Sequence, residues 1–522
     1  MGKLNKYLII VFTVIFYFGT IDAQNNRAYK TNLKHANEQF SYENYSLALP
    51  MFRELYMQDS TNIEVNYKYG ICIYKILNKE KAVPYLEKSK NEYIDAYFYL
   101  ARIYHYLEKF NKTLDYYKFY SNSTKIKQFT PKDVEFYKSK TLTAQLLQRK
   151  PVNVTVKNLG KTINTGYPEY APLITSDQNT LVFTSRRKGS TGNLKDPNYQ
   201  YFEDIYISHF EKGKWQQPKN LGAPINTATH DAGVAFTHDG KVLYIYRTSK
   251  DLTSGDLYIS KLIDGKWTEP EKLDPDINSK TGTETSACLS PDERTLYFSS
   301  NREGSFGGKD IYMVRKLPNN KWSLATNLGS VINTPYNDDA PFISADGTKL
   351  YFCSKGHENI GGYDIFVSDI NNDGTFSPSR NLGYPVNSVA DDIYFYQTID
   401  ENKSYFASNR KGGYGKSDIY VINALEKNKE NLILKGIIYT NDPTYKTLEA
   451  SITILDYDTK EIQGIYRTNH ETGKYLMVLQ PHKKYKMVVE ADGYQSFVSE
   501  IDMTKKLRFE DLFKNIDLKM AK

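Results

Sequence analysis

The chain has 522 residues, 40% hydrophobic and 25% charged, enough apolar material for several packed domains and too much for bulk disorder. Its 68 basic and 61 acidic residues leave a net charge of +7 with no Lys/Arg block, which argues against a dedicated nucleic-acid binder. Three scattered cysteines, Cys72, Cys288 and Cys353, rule out a disulfide framework and a cysteine-based zinc module.

Lys3 and Lys6 precede Tyr7–Gly19, thirteen almost wholly apolar residues, and Ala23 offers a small residue before a cut at Gln24. Thirteen residues span about 20 Å as a helix, against a hydrocarbon core of about 30 Å. Residues 1–23 therefore read as a cleaved secretory signal peptide. Gln24 rather than Cys after the cut argues against lipidation, and no later stretch is long and apolar enough for a transmembrane segment.

Over residues 25–149, Ala36, Phe40, Ala48 and Phe52 recur 34 residues later as Gly70, Tyr74, Ala82 and Leu86. A looser third copy follows 31 residues on, at Ala101, His105, Thr113 and Tyr117. A small residue four positions before a large one places both on one helix face, where the small one admits a neighbouring helix. This helix–turn–helix unit resembles the tetratricopeptide repeat (TPR), and a helix near Pro131–Arg149 is expected to cap the array. TPR-like arrays present a concave face to a partner's segment. Tyr67, Tyr97 and Tyr99 are candidates for that surface, the other reading being that they pack between repeats.

Residues 152–423 carry a second repeat. Asp204-Ile205-Tyr206, Asp256-Leu257-Tyr258, Asp310-Ile311-Tyr312, Asp364-Ile365-Phe366 and Asp418-Ile419-Tyr420 follow one another at intervals of 52, 54, 54 and 54 residues. An alternating apolar run precedes each, and Trp215, Trp267, Trp322 or Phe376 marks a further strand after the first four. Four strands per repeat predict a β-propeller, with Val152–Leu159 completing the fifth repeat. The expectation is five blades, with six as the alternative. The block resembles the TolB-like, WD-related repeat through Ser300-Asn301-Arg302 with Gly307-Gly308, and Ser408-Asn409-Arg410 with Gly412-Gly413. Three departures are predicted to alter loop shape: an insertion at Lys188–Glu203, no glycine pair in the second repeat, and Lys355 where arginine is expected in the fourth.

Carboxylates recur where the first strand of each repeat begins: Glu169, Asp231, Glu284, Asp338 with Asp339, and Asp391 with Asp392. Crowded at one mouth of a central channel they would favour a cation or a basic partner. Capping or pairing within their own blades is the alternative. Asp369–Gly374 opens like an EF-hand loop, yet its twelfth position is Arg380, so no calcium is expected there.

Residues 432–520 alternate through several short strands, which predicts a small β-sandwich. Gly473/Tyr475, Pro481/Tyr485 and Gly493/Tyr494 resemble elements of the carboxypeptidase regulatory-like domain, a family that implies an accessory or docking role.

No Gly-x-Ser-x-Gly elbow, His-Glu-x-x-His, complete phosphate loop or Rossmann fingerprint is present. The expectation is accordingly no enzyme, no catalytic residue, no metal and no cofactor, although paired mouth carboxylates are what sugar hydrolysis requires. The order signal, TPR, propeller and regulatory-like domain resembles periplasmic proteins of Bacteroidetes, among them the PorE-like components of type IX secretion and gliding. That resemblance implies a non-catalytic periplasmic scaffold or adaptor at the outer membrane. Its partners would be envelope proteins such as an outer-membrane barrel or a secretion component. The usual OmpA-like module is missing after Asn515–Leu518, so direct peptidoglycan binding is not expected. The alternative is a sensory propeller that binds glycan or peptide, which aromatic residues lining the mouth would favour.

Overall fold

The computed structural model describes residues 28–521, except 197–198, 238–239, 292, 320, 372, 400, 425–431, 441–447, 469–472, 481 and 505–511. The signal segment, Asn372 of the EF-like turn and Pro481 lie outside the described residues. The chain divides into two compact units, Met1–Leu142 and Thr143–Lys522.

The described helices are α1 (28–41), α2 (Tyr45–Gln58), α3 (Ile63–Ile76), α4 (Val83–Ser89), α5 (Asp95–Tyr106), α6 (Phe110–Asn122) and α7 (Pro131–Arg149). From α2 to α6 each packs on the next. The recurrent small residues are what bring them close. Ala36, Ala48, Ala82 and Ala101 are fully buried, and a Cβ on Gly70 would stand 2.9 Å from Leu86. Asn62 caps α3, its side chain accepting from the Val65 N–H at 3.0 Å. Tyr67 stacks on Tyr93 with ring centroids 4.4 Å apart, and Tyr99 packs on Tyr74 and Phe129; both lie inside the helical core. Tyr97 is half-buried against Tyr116 and Phe119. No helix among the described residues is long and apolar enough to cross a membrane.

Among the described residues the second unit contains seven small sheets. In the first, Glu169–Ile174, Thr180–Ser185 and Asp204–Glu211 run antiparallel, with two-residue strands Lys214–Trp215 and Lys219–Asn220 on the third. The second sheet repeats this with Asp231–Phe236, Val242–Thr248 and Gly255–Ile263. The third is Glu284–Leu289, Thr295–Ser300, Asp310–Arg315 and Thr326–Asn327. The fourth is Asp338–Ile343, Lys349–Ser354, Asp364–Asp369 and Arg380–Asn381. The fifth joins Asp392–Gln397, Lys403–Ser408 and Asp418–Ala424 to Val154–Asn158, which pairs from Val154↔Ala424 to Asn158↔Tyr420. The first strands of these five sheets are neighbours in chain order, and the fifth lies against the first.

The sixth sheet sets Leu432–Tyr439 antiparallel to Lys474–Leu479 and parallel to Leu512–Phe513 and Ile516–Asp517. The seventh runs in the order Ile462–Arg467, Ser451–Asp456, Lys484–Glu490, Phe497–Asp502. Ile438, Ile452, Tyr475, Met477, Met487 and Val489 fill the core that the two share.

The expected fold class is corrected. The described residues do not show an extended TPR array or a closed five- or six-bladed propeller barrel; they show a short run of seven helices and seven small, mostly antiparallel sheets. The strand ladders stay inside each sheet; neighbouring sheets are joined by single backbone hydrogen bonds, such as Asp392 N–H to the Tyr363 carbonyl (2.8 Å) and Glu169 N–H to that of Ser417 (2.8 Å), and by side-chain packing. The helical run is short because its period slips after two copies and α4 has only seven residues.

The glycine loops show how neighbouring sheets fit. A Cβ on Gly307 would lie 2.0 Å from the Tyr336 carbonyl oxygen, one on Gly361 2.2 Å from that of Ala390, and one on Gly415 2.3 Å from that of Tyr167. Each loop thus meets the segment leading into the next sheet, and the fifth meets the segment leading into the first. Gly415→Ala is expected to cost about 1–3 kcal/mol, since backbone rather than a flexible side chain must give way. Urea unfolding checks this, and an unchanged midpoint would refute the close approach.

Candidate functional site

The recurrent carboxylates are held within their own sheets. Glu169 accepts from Thr165 N–H (2.8 Å), Thr165 Oγ1 (2.6 Å) and Ser185 Oγ (2.9 Å), and pairs with Arg187 at 3.1 Å. Asp231 pairs with Arg247 at 2.5 Å, Glu284 with Arg302 at 3.1 Å and Asp392 with Arg410 at 2.5 Å. Asp338 keeps the threonine cage, accepting Thr334 N–H at 2.5 Å and Oγ1 at 2.9 Å, but has no ion pair among the described residues. All five are fully buried. Burial pushes the Glu169, Asp231 and Glu284 carboxyls above their usual range despite the arginines, and pushes Asp338 up to about 7.

The Asp of four triplets plays a second framing role, whereas Asp256 of the second repeat pairs with Lys272. Asp310 accepts Phe306 N–H (2.7 Å), Gly307 N–H (3.1 Å) and Asn327 Nδ2 (2.7 Å). Asp364 and Asp418 repeat the pattern with Ile360, Gly361 and Asn381, and with Tyr414, Gly415 and Asn158. These residues build the sheets; they do not line the concave pocket among them.

Their sequence neighbours do. Side chains alternate along a strand, so a residue one position from a caged one leaves the frame. Glu203 precedes Asp204, Tyr363 precedes Asp364, and Ser417 precedes Asp418. Tyr170 follows Glu169, Lys355 follows Ser354, Asn409 follows Ser408, and Asp391 precedes Asp392. With Ile393 and Tyr394, these residues line one pocket of about 350 Å³. A bulge in each first strand adds to the effect by re-aiming the chain, and Ala171, Ala340 and Tyr394 carry positive φ there.

Tyr170 and Tyr394 stack with centroids 5.7 Å apart, and Lys355 Nζ lies 4.5 Å from the centre of the Tyr363 ring. Glu203 meets His230 Nδ1 at 3.1 Å and Arg186 at 4.0 Å, and hydrogen-bonds to Tyr170. Burial works against its charge, but His230, Tyr170 and Arg186 together hold the carboxyl below its ordinary value. Both Asp391 oxygens are engaged: Oδ1 accepts Tyr363 N–H at 2.9 Å and Oδ2 accepts Asn409 Nδ2 at 2.9 Å. Asp339 is buried close by, with Lys309 Nζ at 2.9 Å and Ser286 Oγ at 2.5 Å. Burial of Asp339 is outweighed by Lys309 and the serine hydroxyls, which hold its carboxyl low.

Of the carboxylates picked out in the sequence, only Asp391 lines the pocket; Asp339 is beside it and the other five are caged. Two of the sequence departures become part of the site. The Lys188–Glu203 insertion supplies Glu203 and also Asp196, which pairs with Arg186. Lys355 does not occupy the arginine's place. The register Asp338↔Ser354 gives that place to Gly356, and His357 Nε2 donates to the Ile332 carbonyl at 2.8 Å, as Arg187 Nη2 donates to that of Ile163 at 2.7 Å. Lys355 stands instead where Arg186, Asn301 and Asn409 stand. No group of three or more metal-ligating residues occurs among the described residues.

Behind Tyr394 lies a second cavity of about 80 Å³, with walls that include Leu173, Phe236, Ala287, Phe342 and Phe395. Its far side is covered by Ile465, whose N–H donates to the Pro291 carbonyl at 3.2 Å, and by Arg467, which holds Glu293 with both guanidinium arms.

No family model and no curated protein matches the sequence. Among solved structures the chain is similar to a glycoside hydrolase at 10% identity, over 58% of this chain and 96% of that one, with a TM-score of 0.38. It is similar to the alpha-L-arabinofuranosidase from Lactobacillus brevis at 11% identity, over 49% of this chain and 90% of that one, TM-score 0.35. Hydrazine synthase of Kuenenia stuttgartiensis matches at 10% identity over 70% of both chains, TM-score 0.29. These TM-scores are low, and the activities of those proteins are not carried over. The expectation that the chain is not an enzyme is withdrawn, because two carboxylates, Glu203 and Asp391, stand together in the pocket.

Proposed function

We propose that the chain binds carbohydrate in the pocket of Tyr170, Tyr363 and Tyr394. The observation that carries this reading is the convergence of three half-buried tyrosines with Glu203, Asp391, Asn409 and Lys355 in one concave site. Aromatic faces take the apolar C–H faces of sugar rings, and fixed carboxylates, amide and ammonium groups answer hydroxyls; a concave site with few convergent polar groups is how small ligands are held. A purely architectural mouth would have spent these positions on the frame, as the caged carboxylates do. The adaptor reading rests on module order alone, and no feature of the pocket calls for it. An exported chain, as residues 1–23 imply, would meet glycans in the envelope.

The test is calorimetric titration of the purified chain with a panel of oligosaccharides, with product release followed in the same samples. Tyr394→Ala is expected to weaken binding by about 10- to 100-fold while leaving the unfolding temperature within a few degrees, because one stacked aromatic contributes roughly 1–3 kcal/mol. Binding by no member of the panel, or binding that Tyr394→Ala leaves intact, would refute the proposal.

A further inference from the structure

We infer that the cavity behind Tyr394 is a second binding site, which takes a short neutral acyl group with its carbonyl oxygen on the Tyr244 hydroxyl. It stands apart from the tyrosine pocket and does not depend on carbohydrate binding there. One position in the repeat keeps this cavity open. Two residues after the caged carboxylate stand Ala171, Gly233, Ser286 and Ala340 in the first four sheets, and only the fifth places a large side chain there, Tyr394. Ala171 and Ala340 hold positive φ, 50° and 52°, at that point. An empty space inside a protein forfeits packing, and larger side chains at Ala235 or Ala287, both in its wall, would fill it. Instead about 80 Å³ stays open between Leu173, Phe236, Phe342 and Phe395.

The wall also holds a polar group without a partner. Tyr244 is 6% exposed and lines the cavity, and its hydroxyl makes no hydrogen bond among the described residues. Other polar groups of the wall are engaged. Ser286 Oγ donates to Asp339 Oδ1 at 2.5 Å, Tyr396 Oη donates to the Ile174 carbonyl at 3.0 Å, and Ser290 Oγ accepts the Thr295 N–H at 2.8 Å. Burial, with the Glu293 charge nearby, pushes the Tyr244 phenol up to about 12, so it keeps its proton and is a donor. A buried donor left unmet costs stability, and an acceptor on a ligand recovers it. A carbonyl suits the place better than a hydroxyl, which would bring a proton of its own against an apolar wall. The ligand is neutral, because Arg467 and Glu293 at the rim already hold each other through both guanidinium arms. Size completes the class: a cavity of about 150 Å³ admits a benzene ring, so this smaller one holds about three to five non-hydrogen atoms.

The experiment follows the alanine methyl resonances of the full chain by NMR while butanone is added, or its alkene isostere, in which a methylene replaces the carbonyl oxygen. Butanone is expected to shift the Ala235 and Ala287 methyls saturably, and the corresponding secondary alcohol to bind more weakly. Tyr244→Phe is expected to weaken butanone by about 3- to 10-fold and to leave the alkene no weaker than before. Ala287→Leu is expected to abolish binding of both, and Ala235→Val serves if Ala287→Leu does not fold; thermal unfolding establishes that each variant is folded. Acetylated xylotriose, titrated against the unacetylated sugar, then identifies the source. A gain from acetylation that Tyr244→Phe removes assigns the acyl group to a saccharide, its absence assigns it to a free carbonyl compound, and either supports the site. No saturable shift with butanone, a loss on Tyr244→Phe as large for the alkene as for butanone, or no loss for either would overturn the inference, whether or not the tyrosine pocket binds carbohydrate.

Discussion

Arg302→Ala is expected to destabilise the second unit by about 3–5 kcal/mol, the range for removing one partner of a buried ion pair. Arg302 Nη2 reaches Glu284 at 3.1 Å, Nε donates to Ser300 Oγ at 3.0 Å, and the guanidinium lies about 5 Å from the Phe298 and Tyr312 rings. Glu284 is fully buried, and burial already holds its carboxyl above the ordinary range with the arginine in place. Without it the carboxyl must take a proton or remain charged and unanswered. The loss should therefore be greater at pH 8 than at pH 5, and Glu284→Gln in the same chain should recover much of it. Urea unfolding at the two pH values measures both effects, and a variant as stable as the parent at pH 8 would refute the cage.

The fourth sheet presents the same situation without mutation, and the second large effect is expected there. Asp338 sits in its threonine cage with no ion pair among the described residues, and burial raises its carboxyl from 3.8 to about 7. The sign follows from proton uptake. Between about pH 4 and pH 7 the folded chain holds a proton that the unfolded chain has released, so stability is fully present below the unfolded value and is lost as pH rises through 7. A shift of about three units at 1.36 kcal/mol each sets the scale at roughly 4 kcal/mol. Asp338→Asn carries no such titration. It should match the parent or fall slightly below it at pH 4, and exceed it at pH 8. Unfolding curves that run parallel across that range would contradict the assignment.

Much of this structure is legible in the sequence, and the parts that are not share a cause. The 54-residue spacing marks real sheets, because the residues that recur in most of them are those that build the frame: the caged carboxylate, the closing serine, the triplet Asp and the loop glycine. Recurrence reports the frame. The frame residues therefore drew attention as a candidate site although Glu169, Asp231, Glu284, Asp338 and Asp392 are fully buried. The pocket residues vary from sheet to sheet, so no repeat reveals them. What could have found them is the pleat: Glu203, Tyr363 and Ser417 each precede a triplet Asp, and Tyr170 follows a caged Glu. Lys355 was visible as a departure, but its meaning needed the register Asp338↔Ser354, which shows His357 taking over the arginine's bond to a carbonyl. Closure of the sheets into one hydrogen-bonded barrel was not a consequence of the repeat either, since each strand ladder ends within its own sheet, four of them on two-residue strands. In the helical unit, Tyr67 and Tyr99 were open to both readings, and the stack on Tyr93 and the packing on Phe129 place them inside.

The most direct test of the account is a crystal structure of the chain with a bound oligosaccharide from the panel. The account predicts a sugar ring against Tyr170, Tyr363 or Tyr394, with its polar groups within hydrogen-bond distance of Glu203, Asp391 or Lys355. A sugar seated on the helical unit or on the two C-terminal sheets, with the tyrosine pocket unoccupied, would contradict it.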